Sequence, residues 1–242
     1  MRKKKKPEPP RQVRRMAILY IVATPIGNLK DITLRAIETL KEVDFVLAED
    51  TRVTAKLLNY YQVKKPLISY FQHSKLSKVE YVLGLLARGK NLALVSDAGT
   101  PGINDPGGKL VEEVVKKFGD KIQIAPIPGP NAIITALSVS GFNADRFLFL
   151  GYPPHKKGRK KFFAEIAKSD YPAVFYESPY RILKTLNELN EFEELKNREI
   201  MVGRELTKKF ETVYRGKVGE MAEKIRPEEV KGEFVVVINI NT

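Results

Sequence analysis

Fifteen residues, Leu94 to Gly108, read LVSDAGTPGINDPGG, with four glycines, two prolines and two aspartates. An apolar run precedes them and a helical pattern follows. Glycine has no Cβ, so main-chain N–H and C=O groups there can approach a ligand closely. The prolines stiffen the stretch and favour a fixed surface over a mobile lid. It is not a P-loop, because Lys109 follows the last glycine with no Ser or Thr after it, and its spacing is not GxGxxG. From Ser96 to Gly108 the connection takes thirteen residues. Most βα connections take about two to six, so a ligand-holding role outweighs an ordinary turn.

Four other stretches bring chemistry-bearing side chains to strand ends. TPIGNLKDIT (24–33) puts a proline, a glycine and Asp31 before a helical pattern, where Asp31 serves equally well as a helix cap. AEDTR (48–52) sets Glu49, Asp50 and Arg52 together. Those carboxylates could act as a general base or position a hydroxyl, or Asp50 or Thr51 could cap the next helix. QHSK (72–75) carries His73, which reads more readily as a surface or hydrogen-bonding group than as a base. GRELTKKFE (203–211) concentrates charge after an apolar strand; Arg204 and Lys208 suit a phosphate, and a solvated surface explains the same run.

These loops need elements to position them. AILYIVATP, DFVLAED, PLISYF, NLALVS and KIQIAPI read as five strands, the first apolar enough to be buried on both faces as in a parallel sheet. Helical patterns separate them. The first carries Ile32, Ala36, Ile37, Leu40 and Val43 behind an Asp31 cap, and the second carries Val53, Leu57, Leu58 and Tyr61 behind a Thr51 cap. The third shows Val79, Val82, Leu83 and Leu86, closed by Gly89. The fourth shows Leu110, Val111, Val114, Val115 and Phe118, closed by Gly119. This alternation predicts an open, mostly parallel α/β domain over residues 16–127. In such sheets, sites form outside the carboxyl ends of the strands, which is where the loops above fall.

PIPGPNA (126–132) is a stiff connector and the expected boundary to a second domain, 128–242. There NAIITALSVSG and RILKTLNELNEF read as helices, and RFLFLGY, PAVFYES, EIMVGREL and EFVVVINI as strands, with a strand end plus a short helix in ETVYRGKVGEMAEKI. A mixed sheet with helices is expected.

Composition narrows the function classes. There is no cysteine and there are only two histidines, His73 and His155, which argues against disulfides, thiolate chemistry and a multi-His metal centre. No apolar stretch approaches the length of a membrane span, and the start, MRKKKKPEPPRQVRR, has no apolar segment of a secretory signal. A reducing cytoplasm is the default expectation. Net charge is +13, of which residues 1–15 carry +7. Both the tail and the body suit a polyanionic partner such as nucleic acid, and a solvated, disordered tail explains the first part equally.

TPIGNLKDITLRA, AEDTR, LVSDAGTPGINDPG, PIPGPNAIITALSVSGF, FYESPYRI and RELTKKFE occur in this order across nearly the whole chain. Together they resemble the tetrapyrrole methylase superfamily. Within it they resemble the branch that uses S-adenosylmethionine to methylate the ribose 2′-hydroxyl of a decoding-centre cytidine in 16S rRNA. The resemblance implies two α/β domains with the cofactor in a cleft between them, and a cytoplasmic homodimer acting on 16S rRNA or the small ribosomal subunit. It implies that Asp97, Ala98, Gly99 and Thr100 hold the methionine part of the cofactor, with Pro25 against it. Asn131, Ala132 and Tyr176 would line the adenosine, and Arg204, Glu205 and Gly232 carry over more weakly. The family's His-x-His-Asn-like stretch survives only as His73, and the basic tail lies outside the shared region.

A ribose hydroxyl is a poor nucleophile, so a proton acceptor is expected from Asp50, Glu49 or Glu205, with Arg52, Arg204 and Lys208 on phosphates. Two rival readings remain at this stage: a methylase acting on a tetrapyrrole-like small molecule, and a non-catalytic RNA-binding module.

Overall fold

A computed structural model describes residues 16–71 and 76–240. The basic tail and His73, both singled out above, lie outside the described residues. The contacts divide the chain into two compact units.

The first unit takes in residues up to Val22, Ile37–Val95 and Pro101–Ile127. Its strands are β1 (Ile18–Val22), β2 (Phe45–Ala48), β3 (Leu67–Ser69), β4 (Leu92–Val95) and β5 (Gln123–Ile127). They pair in the order β3-β2-β4-β1-β5, and every pairing is parallel. A parallel sheet needs a crossover for each strand, and here these are α1 (Leu34–Glu42), α2 (Thr51–Tyr60), α3 (Leu76–Ala87) and α4 (Gly107–Phe118). Central β4 is buried along its whole length, as an unbroken apolar run requires. Leu19, Leu47, Leu92, Leu110 and Val114 share one core cluster with Val79, Val82, Leu83 and Leu86 of α3. Each such side chain contributes about 2 kcal/mol through its removal from water.

Several local expectations change. Asp31 does not cap α1: it closes a short 3-10 turn, Leu29–Asp31, and the Thr33 hydroxyl accepts the Ala36 N–H at 3.1 Å in its place. Thr33 stands where a cap oxygen can reach an unpaired amide of the first turn; Asp31 stands two residues too early. Ile32 and Val43 are buried but flank the helix rather than belong to it. Of the two caps read for α2, Asp50 is the one used, accepting Arg52 N–H at 2.8 Å, and Thr51 is the first helical residue. On α4, Val115 turns half outward, while Leu110 and Val114 are fully buried. The helix already begins at Gly107, so two of the thirteen loop residues are its first turn.

The second unit takes in Ala23–Ala36, Ser96–Thr100 and the chain from Pro128 onward. The loops that follow β1 and β4 thus group with the later part of the chain, not with the strands that feed them. Beyond Pro128 come α5 (Ala132–Ser140), β6 (Leu148–Phe149), α6 (Arg159–Ala167), β7 (Ala173–Glu177) and α7 (Ile182–Asn190). Then follow α8 (Glu193–Lys196), β8 (Glu199–Arg204), β9 (Thr212–Lys217), α9 (Val218–Lys224) and β10 (Phe234–Ile238). The sheet order is β6-β7-β10-β8-β9; β6 and β7 are parallel and the other pairs antiparallel.

Alternate residues of β10 serve two cores. Phe234, Val236 and Ile238 pack with Phe163, Ile182, Leu186 and Met221, while Val235 and Val237 pack with Ile133 and Leu137 of α5. That double cover is why β10, FVVVI, is continuously apolar. RFLFLGY supplies only two strand residues, and the ETVYRGKVGEMAEKI stretch divides into β9 and α9. Helices α6 and α8 have no counterpart in the sequence reading.

Candidate functional site

In the first sheet β1 and β4 lie side by side. The chain leaves β1 for β2 on one side and leaves β4 for β5 on the other. Such a reversal places the two departing loops at a topological switch point, the usual location for a ligand in an open α/β sheet.

Those two loops are joined by main chain. Thr24 N–H donates to Gly99 O at 2.9 Å and Gly99 N–H donates to Thr24 O at 3.1 Å, an isolated antiparallel bridge. The buried Thr24 hydroxyl donates to Ser96 O at 3.1 Å, and the Ser96 hydroxyl donates to Gly99 O at 3.1 Å. Thr100 Oγ1 donates to Pro130 O at 3.1 Å, which ties in the third stretch, Pro128–Asn131. Gly99 has φ +85°. A Cβ there would stand 3.3 Å from Ile26 Cγ2 and 3.6 Å from Pro130 O, so the position demands glycine on both conformational and steric grounds.

Asn131 caps α5, its side chain accepting from Ile133 N–H at 3.0 Å and Ile134 N–H at 3.3 Å. Pro25 is buried, whereas Asp97 and Ala98 at the loop tip are exposed. The structure therefore gathers Pro25, Asp97, Ala98, Gly99, Thr100, Asn131 and Ala132 into one set of interlocked loops. Thr24 and Ser96, which lock them, escaped the sequence reading although both stand inside the motifs it quoted. A small hydroxyl residue directly after an apolar strand was the available signal.

Tyr176 lies on β7, opposite Val235 of β10. Its ring meets Phe149 edge-on at 5.4 Å and Tyr152 at 5.3 Å between centroids. Gly232, two residues before β10, has φ +87° and lies under the Glu205 side chain, leaving no room for a Cβ.

The charged segment after β8 is occupied by its own contacts. Arg204 is buried; its Nε donates to Lys231 O at 3.0 Å and its guanidinium to Phe210 O at 3.2 Å. Lys208 donates to Glu205 at 2.8 Å and to Glu233 at 3.0 Å, and its stem lies across Gly27. Glu205 also accepts Glu233 N–H at 2.9 Å. Burial pushes the Glu205 carboxyl up, but the Lys208 ammonium, the Glu233 amide and the Arg204 charge outweigh it and leave the group below the usual carboxylate range. Burial likewise pulls Lys208 down, and its two glutamates more than restore it, holding it above the usual lysine value. These residues form a brace rather than the open phosphate seat expected for Arg204 and Lys208.

Glu49, Asp50 and Arg52 belong to the first unit, at the end of β2 and the start of α2. Arg52 donates to both Asp50 oxygens, at 2.6 Å to Oδ2 and 3.0 Å to Oδ1. The Arg52 hydrogen bonds hold the Asp50 carboxyl at about 2. The Arg52 side chain is otherwise 87% exposed. An Asp50 so held is a good hydrogen-bond acceptor and a weak base.

A second network stands beside Tyr176. The Glu177 carboxylate is buried; it accepts Ser178 N–H at 2.7 Å, Thr185 Oγ1–H at 2.6 Å and Arg181 Nη2 at 2.8 Å. Nothing in the sequence reading marked it.

The sequence model of the tetrapyrrole (corrin/porphyrin) methylases matches residues 18–222. Among curated relatives, a ribosomal RNA small subunit methyltransferase I from Thermotoga maritima is 44% identical over 224 residues, 93% of this chain and 99% of the relative. The Bacillus subtilis protein of that name is 45% identical over 92% of this chain and 75% of its own length. Of solved structures, a cobalt precorrin-4 methyltransferase superposes with TM-score 0.68 at 17% identity, covering 92% of this chain and 94% of that one. A uroporphyrin-III C-methyltransferase from Thermus thermophilus gives 0.61 at 16%, covering 92% and 94%. At that identity the likeness speaks for the fold alone.

Proposed function

The chain belongs to the tetrapyrrole methylase family, and from that premise we propose that it methylates the ribose 2′-hydroxyl of a cytidine in 16S rRNA. The observation that carries this reading is end-to-end similarity to relatives named as ribosomal RNA small subunit methyltransferases, at 44% identity over 93% of the chain. It favours RNA over a tetrapyrrole-like substrate, and an enzyme over a passive binding module.

The methyl donor is S-adenosylmethionine, whose sulfonium supplies an already activated methyl group. The interlocked loops fit such a ligand chemically. Asp97, exposed at a loop tip, offers a carboxylate to the amino end of the methionine moiety. The main chain of Ala98 to Thr100 offers polar groups with almost no side chain in the way. Asn131, Ala132 and the Tyr176 ring offer an amide, a helix start and an aromatic face to the adenosine. Pro25 stiffens its loop, and Gly232, at φ +87°, lets the chain turn there as few other residues could.

With the methyl group activated, the protein's main task is alignment of the incoming hydroxyl. Its proton acceptor is drawn from Glu49, Asp50 and Glu205. Asp50 as it stands orients a hydroxyl rather than removing its proton, because Arg52 holds it at about 2. A substrate phosphate competing for the exposed Arg52 would relieve that restraint and raise the basicity of Asp50. The same reading makes the protein a homodimer in the bacterial cytoplasm.

Mass spectrometry of 16S rRNA or small subunits, after incubation with protein and labelled S-adenosylmethionine, tests the reading. A single added methyl on a cytidine ribose is expected; no transfer, or no calorimetric binding of the cofactor, would sink it. Gly99→Ala is expected to weaken cofactor binding at least tenfold, since the loop must leave φ +85° or push Ile26 aside.

A further inference from the structure

The segment GYPPHKKGRKK (151–161) played no part in the reading above, yet it is the most basic stretch of the second unit. It runs from Gly151 into the first turn of α6 and lines an open cavity of about 630 Å³ through His155, Lys156, Arg159, Lys160 and Lys161, with Lys184 and Glu188 of α7 completing the wall.

Two arginines, Arg159 buried and Arg181 partly buried, hold this loop in place. Arg181 reaches back from the start of α7, its guanidinium donating to Pro153 O at 3.0 Å while pairing with Glu177. Arg159 donates to Pro154 O at 2.9 Å and to Thr185 Oγ1 at 2.8 Å, pairs with Glu188, and lies over the Phe163 ring at 5.2 Å. Thr185 in turn donates to Glu177, so both arginines share one buried network. Gly158, at φ +95°, turns the chain into α6 above Pro154.

The charge balance is the second observation. The arginine charges face inward and are met by Glu177 and Glu188. Lys156, Lys160 and Lys161 are exposed, and among the described residues none of the three has an ion pair. Lys184, on the first turn of α7, reaches Glu188 only at 3.8 Å. A rigid loop that neutralises its own anchors and presents uncompensated ammonium groups around a hollow is matched to a ligand with several spaced negative charges. The named lining carries no large apolar side chain, which speaks against insertion into a lipid surface.

We propose that this lysine-lined hollow seats the phosphodiester backbone of the rRNA substrate, outside the loops that hold the cofactor. The proposal rests on the rRNA reading given above. It divides the labour within the second unit: the arginines build the loop and the lysines meet the phosphates.

The test measures binding of transcribed 16S rRNA to the full chain by fluorescence anisotropy between about 50 and 200 mM salt. Lys156→Gln/Lys160→Gln/Lys161→Gln is expected to weaken binding at least tenfold and to flatten the log–log salt dependence by about 2–3, one step for each lost phosphate contact. Calorimetric affinity for S-adenosylmethionine stays unchanged and reports that the variant is folded. Lys109→Gln/Lys116→Gln/Lys117→Gln on α4 removes the same charge elsewhere and is expected to leave the slope within about 1 of wild type. An unchanged slope in the first variant, or an equal loss in the second, overturns the proposal. So does binding of anionic vesicles by the wild type, lost in the first variant, with RNA binding intact. If the wild type itself neither binds nor methylates rRNA, the rRNA reading falls first; if it methylates and the first variant matches it, only this proposal falls.

Discussion

Two segments of the second unit carry dense positive charge, and they use it in opposite ways. After β8, Arg204 is buried against two carbonyl oxygens and Lys208 is clasped by Glu205 and Glu233. Before α6 and on its first turn, the lysines of residues 151–161 stand in solvent around a hollow, and only the arginines are spent on structure. In sequence the two look alike: RELTKKFE and HKKGRKKFF are both short runs rich in cations. The difference lies in what faces them. A cation whose charge is matched inside the protein stabilises the fold and has little left for a ligand; an unmatched one has its charge available for a partner.

The sharpest way to break this contrast is to remove the carboxylate that anchors the basic loop. Glu177→Gln leaves the partly buried Arg181 without its charge partner, and about 3 kcal/mol of stability should go with it. The melting temperature should fall by roughly 5–10 °C. A variant that melts like wild type would mean that the loop is not held from within.

Arg204→Ala comes next. It strands the Lys231 and Phe210 carbonyl oxygens and should cost about 2 kcal/mol in denaturant titration, with the salt dependence of RNA binding unchanged. A slope shallower by about 1 would return Arg204 to the phosphate contacts that its sequence position suggested.

Lys208→Met should matter less, about 0.5–1 kcal/mol, because its ion pairs are partly open to water. Again the RNA salt slope should hold; a loss there would erase the distinction between the two segments.

The smallest effect is a pH dependence. The folded Glu205 carboxyl sits below its ordinary value, so its stabilising contribution is complete above the usual carboxylate range. That contribution fades as pH falls through the lowered value. Melting curves of wild type and Glu205→Gln should therefore differ near neutral pH and converge in acid, below the usual carboxylate range. A gap that persists at low pH would show that packing over Gly232, not charge, gives Glu205 its role.

Much of the fold was legible because it depends on periodicity. The alternation of apolar runs and helical faces announced a parallel sheet, and β4, apolar throughout, is buried throughout. The strand–Gly–Pro–helix pattern was enough to single out the loop from Leu94 to Gly108, while Asp97 to Thr100 were named only through the family resemblance. Caps were read less well: a two-residue error in where a helix starts moved the role from Asp31 to Thr33, whereas of the two caps read for α2, Asp50 and Thr51, Asp50 takes the role. Helix α6 was missed because its first turn is a run of cations, which reads as solvated surface. Only packing shows that Arg159 is buried there and that Phe162, Phe163 and Ile166 face the core.

Sequence alone determined the class of fold, the family resemblance and the glycine-rich loop, since each rests on residues that are near neighbours along the chain. Tertiary structure alone decided which charges are available. Arg204 donates to the Lys231 carbonyl oxygen, Lys208 pairs with Glu233, and Arg159 pairs with Glu188, contacts separated by 27, 25 and 29 residues. Such contacts are a matter of distances of a few ångströms in space, and no local pattern encodes them.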